Sequence, residues 1–439
     1  EIGSGLVGSE MCIRDRVIFK FKLLWKWRNN MSLKNREYPR AEISRKAETS
    51  LIGGSTWVYD TEVKKIFGEI EDGNLIDVVN NRGRYMGTGY YNSHSKIRIR
   101  VISQNANDHF DYSFYERRVR YAWEYRKTVM RDDLNCCRVI FGEADGFPGL
   151  TVDKFDDILV TQTLSLGTER VKPLIFKALV KVLAEDGFNI RGIFERNDVG
   201  IRRLEGMEEN KGFFKLDGLD IPDSTEVTIV ENEIKYYVDF ENGQKTGFFL
   251  DQKFNRRAAA KLAKGRRVLD CFTHTGSFAL NCAYGGAEHV CAVDISEEAV
   301  GFAKRNAELN GLEDKMSFKA VNVFDLLPNL PTADEKYDYV ILDPPAFTKS
   351  RATVDSAIRG YKEINLRAMK LLPRGGYLAT CSCSHFMTDE LFRTMLKSAA
   401  FDAHVELRQI EARQQAPDHP ILWNMQETNY LKFYLFQVV

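Results

Sequence analysis

Apolar runs and polar helix-period stretches alternate through the second half of the chain. RRVLDCFTHTGSFALNCAYGG (266–286) reads as an apolar strand, a Gly/Thr/Ser turn and a helix, and HVCAVDIS (289–296) as a second apolar strand ending in Asp294. A polar helix is predicted over 297–310, followed by the segments MSFKAVNVFDLL (316–327), YDYVILDPPAF (337–347) and GGYLAT (375–380). Strands alternating with helices predict a doubly wound α/β domain, whose ligands sit beyond the carboxyl ends of the strands. Its expected extent is 228–439.

The first half is patterned differently. STWVYD (55–60), NLIDVVNNRG (74–83) and GRYMGTGYY (83–91) carry β-branched and aromatic residues beside Asn/Gly turn signals, which predicts short strands. In KIRIRVIS (96–103) basic and apolar residues alternate with period two. Lys96, Arg98 and Arg100 share one face and Ile97, Ile99 and Val101 the other. A small β-barrel over 31–104 with a cationic side fits; a plain solvated charged face fits equally. A helix rich in arginine is predicted over 111–133. Two strands joined by Gly/Pro turns (141–163), a helix (168–185) and a strand (190–197) then make a central α+β unit within 105–227. Residues 1–30 share none of this patterning. They are expected to be a non-native or disordered extension, with Met31 as the natural start.

Composition narrows the class. At 44% hydrophobic and 28% charged the chain of 439 residues is globular. No run of about 18 apolar residues offers a membrane span. Eight cysteines without CxxC or Cys/His spacing predict reduced thiols in a cytoplasmic protein, and no metal. The 62 basic residues balance the 62 acidic ones, which by itself argues against a nucleic-acid partner. Locally it does not. Arg36, Arg40, Arg45 and Lys46, the Lys96/Arg98/Arg100 face and the helix arginines concentrate positive charge in the first half, while DGLDIPDSTE (217–226) restores the balance. Binding through a basic patch is expected.

The chemistry lies at the strand ends. FTHTGSF after the first strand is not GxGxxG, so a dinucleotide cradle is disfavoured, and the lone Gly276 needs only close approach to a smaller group. Asp294 is placed to accept two ribose hydroxyls. Asp270, Asp294 and DPP (343–345), in that order, form the arrangement of S-adenosylmethionine methyltransferases. A pyrimidine ring carbon 5 is too poor a nucleophile to attack a methylsulfonium directly. A thiolate adding to carbon 6 makes carbon 5 enamine-like, so such an enzyme needs a cysteine at the mouth of the site. Cys383 lies between two serines in TCSCSHF (380–386), on the ligand side of the sheet. Cys381 points the same way by alternation and competes for the role.

Seven segments carry a family resemblance: ENGQKTGFFLDQ (241–252), VLDCFTHTGSF (268–278), VDIS (293–296), LDPPAF (342–347), RGYKEIN (359–365), TCSCSHFM (380–387) and RQQAPDHP (413–420). With them, residues 40–439 resemble the bacterial large-subunit ribosomal RNA 5-methylcytosine methyltransferases, built of PUA, central α+β and Rossmann-like domains. The resemblance implies that Lys245, Phe249 and Gln252 frame the cofactor S-adenosylmethionine from before the first strand. It further implies that Phe272, Thr273 and Gly276 line its methionine moiety and that Asp294 holds the ribose. Asp343 would sit beside the methyl group and the base, with Cys383 as nucleophile. Arg359, Tyr361 and Lys362 fall where RNA contacts are expected, alongside Arg98 and Arg100.

Two departures stand out. The position after the third strand, often Asp in contact with the adenine amino group, is Asn322, with Asp325 as a substitute. DPPAF also lacks the cysteine of two-cysteine schemes. Single-stranded or locally melted ribosomal RNA is the expected partner, and a homodimer is left open. Two other functions compete. An amino-group methyltransferase would use DPPAF without a thiol and survive Cys383→Ala; a non-catalytic RNA-binding assembly factor would fail to bind S-adenosylmethionine.

Overall fold

A computed structural model describes residues 36–330 and 336–439; the expectation for residues 1–30 lies outside the described residues. The first unit is a six-stranded sheet of β1 (Arg40–Ile43), β2 (Trp57–Val58), β3 (Val63–Phe67), β4 (Leu75–Val79), β5 (Tyr85–Tyr91) and β6 (Ile99–Ser103), ordered β2-β6-β5-β4-β1-β3. Ile43, Val58, Ile76, Val78, Ile99 and Val101 fill its interior, as the alternation in KIRIRVIS requires. Helix α1 (Arg45–Ile52) is capped by the Ser44 hydroxyl, which accepts from the Ala47 amide. The sheet bends at a bulge beside Gly89, where a Cβ would stand 2.4 Å from the Arg100 carbonyl oxygen, so only glycine fits.

The central unit has more strands than its pattern predicts. After α2 (Tyr112–Met130), strands β7 (Cys136–Phe141), β8 (Leu150–Phe155), β9 (Ile158–Thr163), β10 (Gly192–Arg196) and β11 (Lys211–Phe213) form a sheet ordered β11-β10-β9-β8-β7. Helix α3 (Leu166–Glu185) joins β9 to the parallel β10 and packs with α2 over one core; the single-turn α4 (Ile201–Leu204) precedes β11. Two of these strands are not legible in sequence. A register shift between Arg138 and Ile140 breaks the alternation of β7, and β11 is three residues long.

A hairpin of β12 (Glu226–Glu231) and β13 (Ile234–Asp239) leads into the α/β unit and shares its core. There α5 (Lys253–Ala260), β14 (Arg267–Cys271), α6 (Ser277–Tyr284), β15 (His289–Asp294), α7 (Glu297–Asn310), β16 (Met316–Ala320), α8 (Val323–Asn329) and β17 (Tyr339–Leu342) follow in turn. They continue as α9 (Val354–Leu371), β18 (Tyr377–Ser382), α10 (Asp389–Ala403), β19 (Leu407–Arg413) and β20 (Lys432–Val438). The sheet order is β16-β15-β14-β17-β18-β20-β19, parallel through β18 and antiparallel at β20. Its order reverses at β14, with β15 on one side and β17 on the other, so the crevice beyond the carboxyl end of β14 is the ligand position of this class of sheet. Apolar clusters cover both faces.

The connection between β19 and β20 ties the three units together. Arg126 of α2 donates to the Asp418 carbonyl at 2.9 Å, the Arg138 amide donates to the Asp418 carboxylate at 2.9 Å, and the Thr56 hydroxyl meets Met425 sulfur at 3.9 Å. No described helix is long and apolar enough to cross a membrane. Among the described residues no group of three or more His, Cys, Asp or Glu side chains is placed to hold a metal ion.

Candidate active site

The turn after β14 is built to bring backbone close to a ligand. Phe272, His274 and Gly276 all have positive φ (66°, 50° and 83°), a backbone shape that costs side-chain-bearing residues energy and recurs at functional sites. A Cβ on Gly276 would lie 2.9 Å from the Ala303 Cβ. Asp270, wholly buried, accepts from the Thr273 hydroxyl at 2.6 Å and the Ala279 amide at 3.0 Å. Burial first, then the charge of Asp343, pushes its carboxyl up to about 7. One Asp270 oxygen and the Thr275 hydroxyl are buried without a hydrogen-bond partner, which is what a polar ligand expected at this turn would satisfy.

Asp294 closes the next strand. Its two oxygens take the His274 amide at 2.9 Å and the Ser296 amide at 3.1 Å, and their remaining lone pairs can accept hydroxyls. Burial holds the His274 ring neutral, down at about 4. At the carboxyl ends of neighbouring strands Ile295 is 70% exposed and Phe324 is 37% exposed, an apolar rim suited to a flat ring. Asn322 caps α8, its side-chain oxygen accepting the Phe324 amide at 3.0 Å. Ile295 and Phe324 were not among the sequence candidates; the available signal was an apolar residue within two positions of a polar one, Ile295 after Asp294 and Phe324 after Asn322. An adenosine with a charged amino-acid tail fits this donor set: ribose at Asp294, ring at the apolar rim, tail at the Asp270–Gly276 turn.

The crevice beyond β17 and β18 gathers further side chains. Gln252 donates to Asp343 at 3.0 Å, and Asn255 holds the Gln252 oxygen at 2.6 Å. Burial, reinforced by Asp251, pushes Asp343 up to about 6. Phe249 meets the His274 ring at 5.2 Å, and Lys245 lies over the Phe249 ring at 5.0 Å. Cys383 follows β18, its sulfur 4.0 Å from the Pro344 carbonyl of the DPPAF loop. Among the described cysteines only Cys383 is not buried; Cys381 is fully buried, with its thiol against Asp343 and Gln252. Desolvation pushes the Cys383 thiol up to about 11. A cleft of about 1500 Å³ opens alongside, with His385, Arg413, Gln415, Lys432 and Tyr434 in its wall.

The residues expected to touch RNA do not stay together. Arg100 is bound between Glu143 and Glu205, both at 3.1 Å, and its side chain is 11% exposed, so it joins the barrel to the central unit and leaves the cationic face. Arg98 donates to the Asn92 carbonyl and stays half-buried beside Tyr91. Tyr361 is buried, with its hydroxyl between Ser384 (3.0 Å) and Ser382 (3.1 Å) and its ring 4.6 Å from Phe347, which makes it a brace between the DPPAF and Cys383 loops. Lys362 pairs with Asp402 at 2.6 Å; Arg359 is exposed. The α2 arginines are neutralised too: Arg117 by Asp108, Arg120 by Glu185 and Glu116, and Arg126 by Asp145, while Arg118 donates to the Gly146 and Ile102 carbonyls.

Residues 219–436 match the family model described as S-adenosylmethionine-dependent methyltransferase, and residues 42–104 match a PUA-like domain. The chain is 37% identical over 404 residues to the ribosomal RNA large subunit methyltransferase I of Klebsiella pneumoniae (strain 342), covering 92% of this chain and 99% of that protein. It is 40% identical over 387 residues to the protein of the same name from Aeromonas salmonicida (strain A449), covering 88% and 96%. In fold it is similar to an S-adenosylmethionine-dependent methyltransferase from Streptococcus mutans, with a TM-score of 0.75 at 20% identity over 91% of this chain and 100% of that one. A methyltransferase structure solved with SAH superimposes with a TM-score of 0.77 at 20% identity, again over 91% and 100%.

Proposed function

Because the chain belongs to the ribosomal RNA large subunit methyltransferase I family, and so is an S-adenosylmethionine-dependent methyltransferase, we propose that it forms 5-methylcytosine in large-subunit ribosomal RNA. The observation that carries this reading is the partial exposure of Cys383, near Asp343, while every other described cysteine is buried. An enzyme that methylates an exocyclic nitrogen has no use for a thiol there.

S-adenosylmethionine supplies an electrophilic methyl on a sulfonium. The protein's own residues make the ring receptive. The target base leaves any stacked helix to enter the crevice. Cys383 adds to ring carbon 6 as the thiolate, which turns carbon 5 into a nucleophile. Asp343, pushed up to about 6 and held by Gln252, is protonated often enough near neutral pH to donate to ring nitrogen 3 as charge develops there. Tyr361 and its two serines keep the Cys383 loop against the DPPAF loop. Asp294 orients the ribose, the Gly276 turn takes the amino-acid tail, and Arg98 and Arg359 contact the RNA backbone.

Ribosomal RNA fragments carrying 5-fluorocytosine test the reading, since fluorine blocks loss of the carbon 5 substituent and traps the adduct. The expected product is a covalent RNA–protein species mapped to Cys383 and absent in Cys383→Ala. An active enzyme that gives no adduct, or a Cys383→Ala variant that still methylates, refutes it and points to amino-group transfer.

A further inference from the structure

Lys432 is a buried amine with no ion-pair partner among the described residues. It opens β20 opposite Ser382 of β18 and is 7% exposed. Its side-chain nitrogen donates to the carbonyls of Ser384 at 2.7 Å and Tyr430 at 2.8 Å. Among the described residues no carboxylate lies within ion-pair distance of it, although buried ammonium groups ordinarily have one. Ser384 is the residue after Cys383, so this amine is anchored to the same loop as the thiol.

The bonding also suits an uncharged amine. A neutral lysine has two N–H bonds, enough for two carbonyls, and one lone pair to spare; an ammonium has a third N–H to place. With no carboxylate at ion-pair distance, burial outweighs the more distant Asp389 and favours the uncharged form. We propose that Lys432 is the proton acceptor of Cys383, a role that rests on Cys383 being the nucleophile. As the sulfur bonds to ring carbon 6, the S–H electron pair stays on sulfur and the proton moves to the Lys432 nitrogen. The carbon 5–carbon 6 π pair then attacks the methyl, whose bonding pair remains with the donor sulfur. Loss of the carbon 5 proton to water re-forms the double bond and expels the Cys383 sulfur, which regains its proton from Lys432.

The groups facing Cys383 are Asp343 after β17, Asp251 before α5, Lys245 in the preceding loop, Tyr361 of α9, Cys381 of β18, Tyr430 before β20 and Lys432 itself. Asp389 of α10 faces Lys432. Burial draws Lys432 down to about 8 and pushes Cys383 up to about 11. Proton transfer before attack is therefore uphill, and formation of the sulfur–carbon bond draws it forward. Below about pH 8 Lys432 already holds a proton and cannot accept another.

The test needs no RNA. The rate of Cys383 alkylation by iodoacetamide is followed by peptide mass spectrometry on the full chain between about pH 6 and 10.5, with S-adenosylmethionine calorimetry certifying the fold of each variant. The wild type should show an inflection near 8. Lys432→Met should lose it, with the rate at about pH 8.5 falling about tenfold or more. Lys432→Arg keeps a cation but cannot accept a proton and should lose the inflection as well. If one variant fails to fold, the other still decides. A wild-type profile in Lys432→Met, or an inflection restored by arginine, overturns the proposal. The outcome is separable from the ring-addition reading: an alkylation inflection with no 5-fluorocytosine adduct would refute the latter and support the Lys432–Cys383 pair.

Discussion

Arg256 and Glu231 form a buried ion pair that also anchors the 249–252 segment through the Phe249 carbonyl. Their side chains are 2% and 0% exposed, the contact is 2.5 Å, and Arg256 also donates to the Phe249 carbonyl between the rings of Phe248 and Phe278. Glu231→Gln preserves shape but leaves the guanidinium charge buried and uncompensated, which costs about 3–5 kcal/mol. A domain of about 200 residues loses roughly 2–4 °C of Tm per kcal/mol, so a fall of about 6–20 °C is expected. The double variant Glu231→Leu/Arg256→Met removes both charges at once. The pair is incompletely satisfied, since Glu231 Oε2 and Arg256 Nε lack partners. The double variant should therefore recover most of the loss, remaining about 1–2 kcal/mol below wild type for the missing Phe249 bond. Freed from Arg256, the 249–252 segment should also hold Gln252 less firmly against Asp343, weakening S-adenosylmethionine binding in a protein that is still folded. Urea unfolding of the three proteins with parallel calorimetry is the assay. A double variant as unstable as the single one, or a single variant within about 1 kcal/mol of wild type, would refute the uncompensated-charge argument.

Gly276→Ala places a Cβ against Ala303 at 2.9 Å in a left-handed conformation; a loss of about 2–4 kcal/mol and weaker cofactor binding should appear in melting and calorimetry. Asp270 is raised to about 7 from an ordinary 3.8, so between those values it is protonated when folded and ionised when unfolded. Stability must then fall as pH rises through that window, by on the order of 4 kcal/mol, and Asp270→Asn should flatten that part of the urea-unfolding pH profile. Tyr361→Phe strands the Ser382 and Ser384 hydroxyls and should cost about 1–3 kcal/mol, with kcat falling while S-adenosylmethionine affinity is kept.

Much of the strand-end constellation was legible along the chain. Strands buried on both faces read as unbroken apolar runs, and in a parallel sheet the polar residue that ends such a run stands at the ligand edge. Asp270, Asp294, Asp343 and Cys383 are found in that way, and Gly276 by its place in the turn. Cys381 and Cys383 could not be separated, because alternation assigns a direction but not a depth; in the fold Cys381 is fully buried against Asp343 and Gln252, while Cys383, just past β18, stays partly exposed.

Charge was where the linear pattern fell short. Period-two alternation put Arg100 opposite the barrel core, yet what covers that face is supplied by Glu143 and Glu205, each more than forty residues away in the chain. Arg126 likewise takes its charge partner from another element, Asp145, and the Tyr361 hydroxyl of α9 meets Ser382 at the end of β18 and Ser384 just beyond it. Lys432 heads an apolar strand, and only the pairing of β20 with β18 brings its amine to the carbonyl of Ser384, the residue after Cys383. Periodicity is a local property that fixes which residues face inward. The partner of a charge depends on long-range chain crossing, and so does its titration; both were decided only when the three units closed on one another.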